Sequence, residues 1–527
     1  MKNLRVFFAG AFALCCFSGF SAKPDSMNIK HIQKITSSTG GLGNIISAGD
    51  NFGGRITCLG DLDGDGVPDL AVSDPFDNTS STWGGAFYIL FMNTDGTVKS
   101  SNKIYSNHSG MNSLPSGCRF GSAVASLGDI DGDGIPDIAV TALATNNYEG
   151  AVYILNMTRS GNVKSSALID GNTTGFTGVL NSGDIMGFDV ACPGDVNGDG
   201  VNDILIGAHG SDNNMGAAYI LFLNNNSTLK GYKKIDDNAL GSGILNNGDF
   251  FGEALGAIGD QDGDGVPDVG IGAIGTNSGT GAVYEIHLNK DGSVKNFIKI
   301  DGTQKTLFKA IPKGGGFGSA VVLLPDIDRT GNRGLLIGSE SDSIGGPLTG
   351  ASYILHMDSS HNVESYNKID NNTIGISKHL RDSGEFGSGA TYLPSFNKDY
   401  KYAIAIGALA DNQSGHESGA FYMIFMDTLV ASGIDNNSAI VNNDINVYPN
   451  PFAGITNLSY RLTSDENVDI RLFDVSGKEV SVIASGTQNS GDYSYTINKN
   501  SKISSGVYFV RYIIGNEVAT FKIINAE

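Results

Sequence analysis

Short apolar runs alternate with glycine-rich turns along most of the chain. Runs such as LAVSD, IAVTA, ILIGA and VGIGA are rich in β-branched residues, which predicts buried strands. Each run is followed, after a loop of variable length, by a Gly-Ala-aromatic strand: GGAFYILFM, GAVYILNM, GAAYILFL, GAVYEIHL, GASYILHM and GAFYMIFM. A tight turn such as NTDG and a last strand ending in KI or LI complete the unit. The pattern predicts an all-β fold built from a four-stranded repeat.

A Phe-Gly pair opens each unit and extends the repeat to six copies. The pairs are Phe52-Gly53, Phe120-Gly121, Gly187-Phe188 in reversed order, Phe251-Gly252, Phe317-Gly318 and Phe386-Gly387. The sixth unit ends with its third strand at Met426, whereas residues 28–35, NIKHIQKI, resemble an unattached fourth strand. Pairing the two would remove an open sheet edge. We therefore expect a β-propeller of six four-stranded blades over residues 27–428, closed by an N-terminal strand.

One nine-residue acidic loop recurs within the first four units at a spacing of 65 to 68 residues. Positions 1, 3, 5 and 9 carry carboxylate or amide oxygens, and glycines at positions 4 and 6 permit a tight positive-φ backbone. Oxygen ligands at alternating positions suit a hard cation, above all Ca²⁺, and the carbonyl of position 7 would supply one more. The predicted calcium ligands are Asp61, Asp63, Asp65, Val67 and Asp69; Asp129, Asp131, Asp133, Ile135 and Asp137; Asp195, Asn197, Asp199, Val201 and Asp203; and Asp260, Asp262, Asp264, Val266 and Asp268.

Two other interpretations of these loops are weaker. A solvated hairpin turn needs two Asp or Gly residues, whereas each loop carries three or four carboxylates that would repel one another without a cation. An EF-hand requires a Glu at position 12 and flanking helices. Position 12 is instead Val72, Val140, Ile206 or Ile271, within a predicted strand.

The fifth and sixth units have lost the loop chemistry, so four calcium sites are predicted. DIDRTGNRG keeps Asp326 and Asp328, and SFNKDYKYA keeps Asn397 and Asp399. One hypothesis is that nearby cations replace the charge of calcium; the alternative is plain sequence drift. These cations are Arg329, Arg333, Lys398 and Lys401.

Composition and the amino terminus indicate an exported protein. The formal net charge of the 527 residues is −21, and the absence of a basic cluster argues against a nucleic-acid partner. Residues 1–22 place Lys2 and Arg5 before an apolar run, as in a signal peptide cleaved near Ala22. Beyond that run, no stretch is long enough for a membrane helix. Cys58, Cys118 and Cys192 lie on predicted strands and are expected to be small buried residues without disulfides.

The combination of Phe-Gly, acidic loop and Gly-Ala resembles the FG-GAP repeats of integrin α-subunit β-propellers and their bacterial relatives. The resemblance covers residues 28–428. Two features differ from the integrin pattern. Integrin propellers have seven blades against six units here, and the residue after Gly-Ala is Phe, Val, Ala or Ser in place of Pro.

The tail is predicted to be a separate module. Residues 429–445 have the composition of a linker, and residues 446–527 alternate with period two, as in a small β-sandwich. This segment resembles the C-terminal sorting domains of the type IX secretion system of Bacteroidetes-type bacteria. The matching segments are Tyr448-Pro449-Asn450-Pro451, Asp474-Val475-Ser476-Gly477, Gly506-Val507-Tyr508 and Lys522. The resemblance implies export through that machinery to the cell surface or medium; an Ig-like accessory module is the alternative.

The variable loops lie on the face opposite the acidic loops and are the predicted ligand face, since function on scaffolds concentrates in such loops. Aromatic residues on them are candidate stacking contacts, although each alternatively packs its own loop: Phe76, Trp83, Tyr105, Tyr148 and Phe176. We expect a monomeric, calcium-stabilised binding or adhesion module for an extracellular polysaccharide or protein.

A propeller hydrolase or lyase and a passive structural protein are the alternative functions. The histidines are scattered without metal spacing, His287 and His356 are interpreted as packing residues, and a Gly-x-Ser-x-Gly motif is absent. The sequence therefore predicts that the chain is not an enzyme.

Overall fold

The computed structural model divides the chain into two compact units, Met1–Leu429 and Val430–Glu527. It describes residues 29–327, 331–373, 376, 379–394, 396, 400, 402–413, 415–427, 446–448, 450, 452, 454–462, 465–474, 478–498, 503–514 and 517–526. Several predictions fall outside these residues. They concern the signal peptide at 1–22, the linker at 429–445, and Asp328, Arg329, Asn397, Lys398, Asp399, Lys401, Pro449, Pro451, Val475, Ser476 and Gly477.

The first unit contains six four-stranded antiparallel sheets, each a run of short strands joined by turns. The first strand, β1 Ile29–Ile35, belongs to the last blade. Blade one is β2 Ile56–Gly60, β3 Asp69–Asp74, β4 Ala86–Met92 and β5 Val98–Ile104; blade two is β6 Phe120–Gly128, β7 Asp137–Ala142, β8 Ala151–Met157 and β9 Val163–Asp170; blade three is β10 Met186–Gly194, β11 Asp203–Ala208, β12 Ala217–Leu223 and β13 Leu229–Ile235. Blade four is β14 Phe251–Gly259, β15 Asp268–Ala273, β16 Ala282–Leu288 and β17 Val294–Asp301; blade five is β18 Phe317–Leu324, β19 Gly334–Ser339, β20 Ala351–Met357 and β21 Val363–Ile369; blade six is β22 Phe386–Leu393, β23 Tyr402–Ala408, β24 Ala420–Met426 and β1.

The amino-terminal strand closes the ring, as the sequence predicts. β1 pairs antiparallel with β24, so that Ile29 lies opposite Met426 and Ile35 opposite Phe421. The first strands of the blades neighbour one another in order, from β2 through β6, β10, β14 and β18 to β22, and β22 adjoins β2. The prediction of a six-bladed propeller is therefore confirmed.

The Phe-Gly pair joins each blade to the Gly-Ala strand of the blade before it. Gly121 has a φ of +80°, and a Cβ at this position would lie 1.9 Å from the Ala86 carbonyl oxygen, so the close approach requires glycine. The same bridge between Phe52 and Gly419 joins blade six to blade one. The six-fold repeat of this pair is thus explained by backbone contact between blades.

The phenylalanine of the pair packs edge-on against the tyrosine of the third strand. Phe52 and Tyr88 have ring centroids 5.6 Å apart at an interplanar angle of 80°. In blade three, where the sequence order is reversed, Met186 occupies the phenylalanine position, pairing with Ala208. There Phe176 reaches in from the preceding loop and packs against Tyr219 at 5.7 Å and 81°. Phe176 thus replaces the missing core ring of its blade.

Small features complete the propeller. Four short helical turns follow strands on the variable face: α1 Thr145–Tyr148, α2 Ser211–Asn214, α3 Asp237–Leu240 and α4 Thr276–Gly279.

The three described cysteines are free thiols, with Cys118 buried and Cys58 and Cys192 half-buried. No helix among the described residues is long and apolar enough to cross a membrane.

The second unit is a small two-sheet module. One sheet has the order β25 Asn446–Tyr448, β26 Ile455–Leu462 and β29 Gly491–Asn498. The other has the order β28 Glu479–Gln488, β27 Glu466–Asp474, β30 Gly506–Ile514 and β31 Glu517–Asn525. Side chains of both sheets, such as Leu458 and Val510, share one buried core. Asn450 holds the amino-terminal end to the last strand, since its amide donates to the Lys522 carbonyl at 2.8 Å and its oxygen accepts from Ile524 N at 2.9 Å.

Candidate metal centre and ligand face

Each acidic loop folds around its first aspartate, between the first and second strands of its blade. In loop one, Asp61 Oδ1 accepts from Gly64 N at 2.7 Å and Asp61 Oδ2 accepts from Gly66 N at 2.9 Å. The two glycines have φ values of +86° and +90°, which the tight wrap requires. The first aspartate of the other three loops makes the same two bonds. The backbone is therefore shaped by the Asp-Gly pattern itself.

The ninth residue anchors the loop to the third strand. Asp69 is buried, and it accepts from Leu62 N at 3.0 Å through Oδ2 and from Met92 N at 3.1 Å through Oδ1. Burial raises the pKa of Asp69 to about 6, and that of Asp203 in loop three also to about 6. Asp137 and Asp268 are held in the same way, and burial also raises the pKa of each.

A lysine near the start of the fourth strand neutralises the outer side of each loop, which the sequence analysis missed. Lys99 Nζ lies 2.9 Å from Asp63 Oδ2 and 2.6 Å from Asp65 Oδ2. These hydrogen bonds raise the pKa of Lys99 and lower the pKa of Asp65. Lys164, Lys230 and Lys295 take the same place in blades two to four. These lysines could have been found in the sequence, because each lies at the second residue of the fourth strand in blades one to four.

Carboxylate oxygens from positions 1, 3 and 9 converge into groups that can hold a metal ion. In loops one, two and four the three oxygens lie within 4.8 Å of one another: Asp61, Asp63 and Asp69; Asp129, Asp131 and Asp137; Asp260, Asp262 and Asp268. Loop three has Asn197 at position 3. An all-oxygen donor set with several carboxylates fits a hard divalent cation. The aspartates at position 5 lie outside these groups and face the lysines, which also contact the aspartates at position 3 in loops one, two and four. Ligation by the carbonyls of position 7 stays a prediction.

Blade five keeps only part of this arrangement. Gly331 N donates to Asp326 Oδ2 at 3.0 Å, the equivalent of the Gly66 to Asp61 bond. Arg333 is exposed to solvent. The hypothesis that Arg333 replaces the charge of calcium inside its loop is therefore dropped, and the other three cations of that hypothesis are not described.

Three of the five predicted aromatic residues converge on one arginine on the variable face. The guanidinium carbon of Arg119 lies 4.7 Å from the ring centroid of Phe76, 5.5 Å from that of Trp83 and 5.6 Å from that of Tyr148. Trp83 is 51% exposed and Tyr148 is 40% exposed, whereas Arg119 is half-buried. Arg119 Nε is buried without a hydrogen-bond partner among the described residues. We call these four residues the Arg119 patch.

The other two predicted aromatics lie elsewhere. Tyr105 stacks on His108 with centroids 4.4 Å apart and rings 7° from parallel, within its own loop. Phe176 is fully buried in the core of blade three, so its assignment to the ligand face is corrected. The reversed Gly-Phe order of that repeat indicates that the aromatic ring packed against Tyr219 comes from a segment other than the Phe-Gly pair.

The repeats and the tail match known families. A model described as FG-GAP repeat matches residues 53–90, 120–155 and 189–221. The chain contains FG-GAP repeats. A second model, described as secretion system C-terminal sorting domain, matches residues 446–526. The sorting domain indicates a substrate of the type IX secretion machinery, located outside the cell or on its surface.

Integrin α subunits are similar to the propeller over a limited stretch. Integrin alpha-4 of Xenopus laevis is 35% identical over 165 residues, which is 31% of this chain and 15% of the relative. Integrin alpha-2 of Mus musculus is 32% identical over 166 residues, covering 30% of this chain and 13% of the relative. The chain thus spans about one seventh of the length of these curated relatives.

A solved structure similar to the chain corrects the prediction that it is not an enzyme. The similar structure is a glycoside hydrolase family 43 arabinoxylan arabinofuranohydrolase from Bacillus subtilis, in complex with cellotetraose. It covers 95% of this chain and 99% of its own, at 11% identity and a TM-score of 0.34. The prediction that the chain is not an enzyme is corrected on this finding and is withdrawn. At that TM-score the likeness transfers no activity to this chain.

Proposed function

We propose that the protein is an extracellular, calcium-stabilised binding module that takes a polysaccharide through the Arg119 patch. The observation that supports it best is the convergence of Phe76, Trp83 and Tyr148, from two loops, around one guanidinium. Trp83 is 51% exposed and Tyr148 is 40% exposed, and exposed aromatic surface of this kind can stack on a sugar ring. The sorting domain places this face outside the cell, where polysaccharides are found.

The chemistry of the patch favours a ligand with acidic groups. The guanidinium lies within 5.6 Å of three aromatic ring centroids, and a guanidinium is suited to paired hydrogen bonds with a carboxylate or sulfate. Arg119 as a residue is half-buried, and it is the charged group of the patch that an anionic ligand would meet. An acidic polysaccharide offers both features, a ring to stack on Trp83 or Tyr148 and an anion for Arg119.

Calcium in the four acidic loops would hold the blades that carry this patch. Lys99 occupies only the outer oxygens of Asp63 and Asp65 in loop one. The cluster of Asp61, Asp63 and Asp69 still brings three oxygens within 4.8 Å. Extracellular modules bind calcium with constants of about 10⁻⁴ to 10⁻³ M. At tenfold excess over such a constant, each filled site adds about 1.4 kcal/mol to the free energy of unfolding.

The test is retention of the purified full chain on immobilised polysaccharides in the presence of calcium. Alginate and a sulfated galactan are the acidic ligands, and xylan is the neutral one. We expect saturable retention on an acidic ligand, weakened at least tenfold by Trp83→Ala and by Arg119→Gln. The matched control is Phe308→Ala, since Phe308 is a 63% exposed aromatic on a distant loop. Equal retention of all variants, or no retention of the wild type, would contradict the proposal.

A second candidate, a hydrolase acting at the propeller axis, is favoured by one group of side chains. Arg55 Nε lies 3.3 Å from Asp189 Oδ1, and Glu253 bonds to His209. The pKa of nearby Glu340 is raised to about 8, mainly by burial away from water and secondly by the negative charge of Glu253. A carboxyl group protonated at neutral pH is suited to general acid catalysis. Release of reducing ends from the same polysaccharides, lost in Glu340→Gln, is the expected result; a wild type that releases none would exclude this candidate.

A further inference from the structure

Two histidines and a glutamate meet at the contact between blades four and five. Glu285 and His287 lie on β16, and His361 lies in the turn between β20 and β21. Glu285 Oε1 is 2.9 Å from His287 Nε2 and 2.8 Å from His361 Nδ1. The three ligand atoms lie within 4.8 Å of one another. We propose that this group is a zinc-type metal site, separate from the calcium loops.

Comparison with the other blades shows that Glu285 replaces an apolar residue and that His361 replaces a glycine or serine. At the Glu285 position the other blades have Ile89, Ile154, Ile220, Ile354 and Met423. At the His361 position the turns of the first four blades have Gly96, Gly161, Ser227 and Gly292. The left-handed φ of His361, +61°, is a conformation in which a glycine costs less.

At the equivalent contact between blades one and two, Gly161 lies against two apolar side chains. A Cβ added at Gly161 would lie 3.2 Å from atoms of both Ile89 and Phe91. Between blades four and five, the residues at these three positions are His361, Glu285 and His287. Because glycine and apolar side chains satisfy the packing around Gly161, packing alone does not account for a buried carboxylate and two imidazoles between blades four and five.

The ligand chemistry selects a transition metal over calcium. Two imidazole nitrogens and one carboxylate are the donors of three-ligand zinc sites, which keep a fourth position for water or another ligand. Tetrahedral zinc with bonds of about 2.0–2.2 Å separates its ligand atoms by about 3.4 Å, so the present spacings need to open by about half an ångström. Glu285 and His361 line a cleft of about 330 Å³ that also contains Asp260 and Asp358. The fourth position would face this cleft.

An unsatisfied nitrogen supports metal binding by His287. The side chain of His287 is buried, and its Nδ1 has no hydrogen-bond partner among the described residues. The nearest carboxylate oxygen is Asp262 Oδ2, at 3.8 Å. A metal on Nε2 would move the ring proton to Nδ1, where it points toward Asp262, as carboxylates commonly orient metal-bound histidines. Asp262 also belongs to acidic loop four, so this one side chain would lie beside both the zinc site and the calcium site.

Zinc titration of the metal-stripped full chain by calorimetry tests the proposal, with millimolar calcium present to fill the acidic loops. We expect one equivalent of tightly bound Zn²⁺, and visible absorption bands of a tetrahedral ion when Co²⁺ replaces it. His361→Gly, which restores the residue of three other turns, should weaken zinc at least about 100-fold without lowering the melting temperature of the metal-free protein. Glu285→Ile should do the same.

The matched control is His416→Gln, because the His416 side chain is highly exposed and distant in sequence from the site. This variant should bind zinc as the wild type does. A wild type that takes up no zinc under these conditions would overturn the proposal. Zinc binding that is unchanged in His361→Gly and Glu285→Ile would overturn it equally, since the metal would then lie elsewhere.

Discussion

Acidification is expected to remove much of the stabilisation that calcium gives this propeller. Asp69 and Asp203 are buried anchors of loops one and three, and burial raises the pKa of each to about 6 in the metal-free fold. Calcium requires both carboxylates to be ionised, so protons compete with the metal. At pH 5 a group with a pKa of about 6 is about nine-tenths protonated. The apparent calcium affinity of each of these loops should therefore fall about tenfold between pH 7.5 and 5, or about 1.4 kcal/mol per loop.

The metal-free protein should show the opposite slope. Because the folded pKa of Asp69 lies above the unfolded value of 3.8, the folded state holds a proton that the unfolded state has released between these two pH values. The free energy of unfolding without calcium therefore falls as pH rises from about 4 to about 6, by up to about 3 kcal/mol for this group. Above the folded pKa this contribution is constant.

Melting temperatures of the calcium-free and calcium-saturated protein at a series of pH values test both statements. The difference between the two forms should be large at pH 7.5 and much smaller at pH 5. The double variant Asp69→Asn and Asp203→Asn should flatten the dependence, since the amides do not titrate in this range. A calcium effect that is independent of pH between 5 and 7.5 would refute the assignment of these residues to the metal site.

Three further changes should each have a distinct outcome. Lys99→Met should raise the calcium affinity of loop one, measured by calorimetry, about threefold or more, because the ammonium group no longer competes with calcium for Asp63 and Asp65. The same change should lower the melting temperature of the metal-free form. Weaker calcium binding would contradict this competition. Phe176→Ala should destabilise the propeller by about 3–5 kcal/mol in urea unfolding, whereas Phe308→Ala should cost little because Phe308 is exposed; equal effects would contradict the core role of Phe176. Deleting residues 29–35 should leave an open edge on β24 and produce oligomers in light scattering, and a stable monomer would show that ring closure is dispensable.

The blade architecture was predictable because its causes are local and repeated. Phe-Gly, the acidic loop and the Gly-Ala strand recur in the same order, and each reports a backbone contact that only certain residues permit, as Gly121 illustrates. The strand predicted at residues 28–35 could be assigned to blade six because the sixth repeat has only three strands of its own. The place of Phe176 could not be predicted from its own segment, since it depends on Met186 occupying the usual phenylalanine position.

The candidate sites were predictable only in part, for a related reason. Ligands within one nine-residue loop are visible in the sequence, whereas contacts between loops or blades depend on the ring. Lys99 lies 34 residues from Asp65, and Arg119 is separated from Phe76 by most of a blade. His287 was interpreted as a packing residue because His361, which lies on the next blade, could not be placed beside it from sequence.

Equilibrium dialysis of the full chain against calcium, with bound metal counted by atomic emission, tests whether the acidic loops are calcium sites. We expect four equivalents of calcium per chain at neutral pH, accompanied by a rise in melting temperature over the same concentration range. Asp61→Asn should remove one equivalent, because Asp61 serves loop one alone. A chain that binds no calcium at millimolar concentration, with the lysines as the sole counter-ions of its loops, would contradict the account.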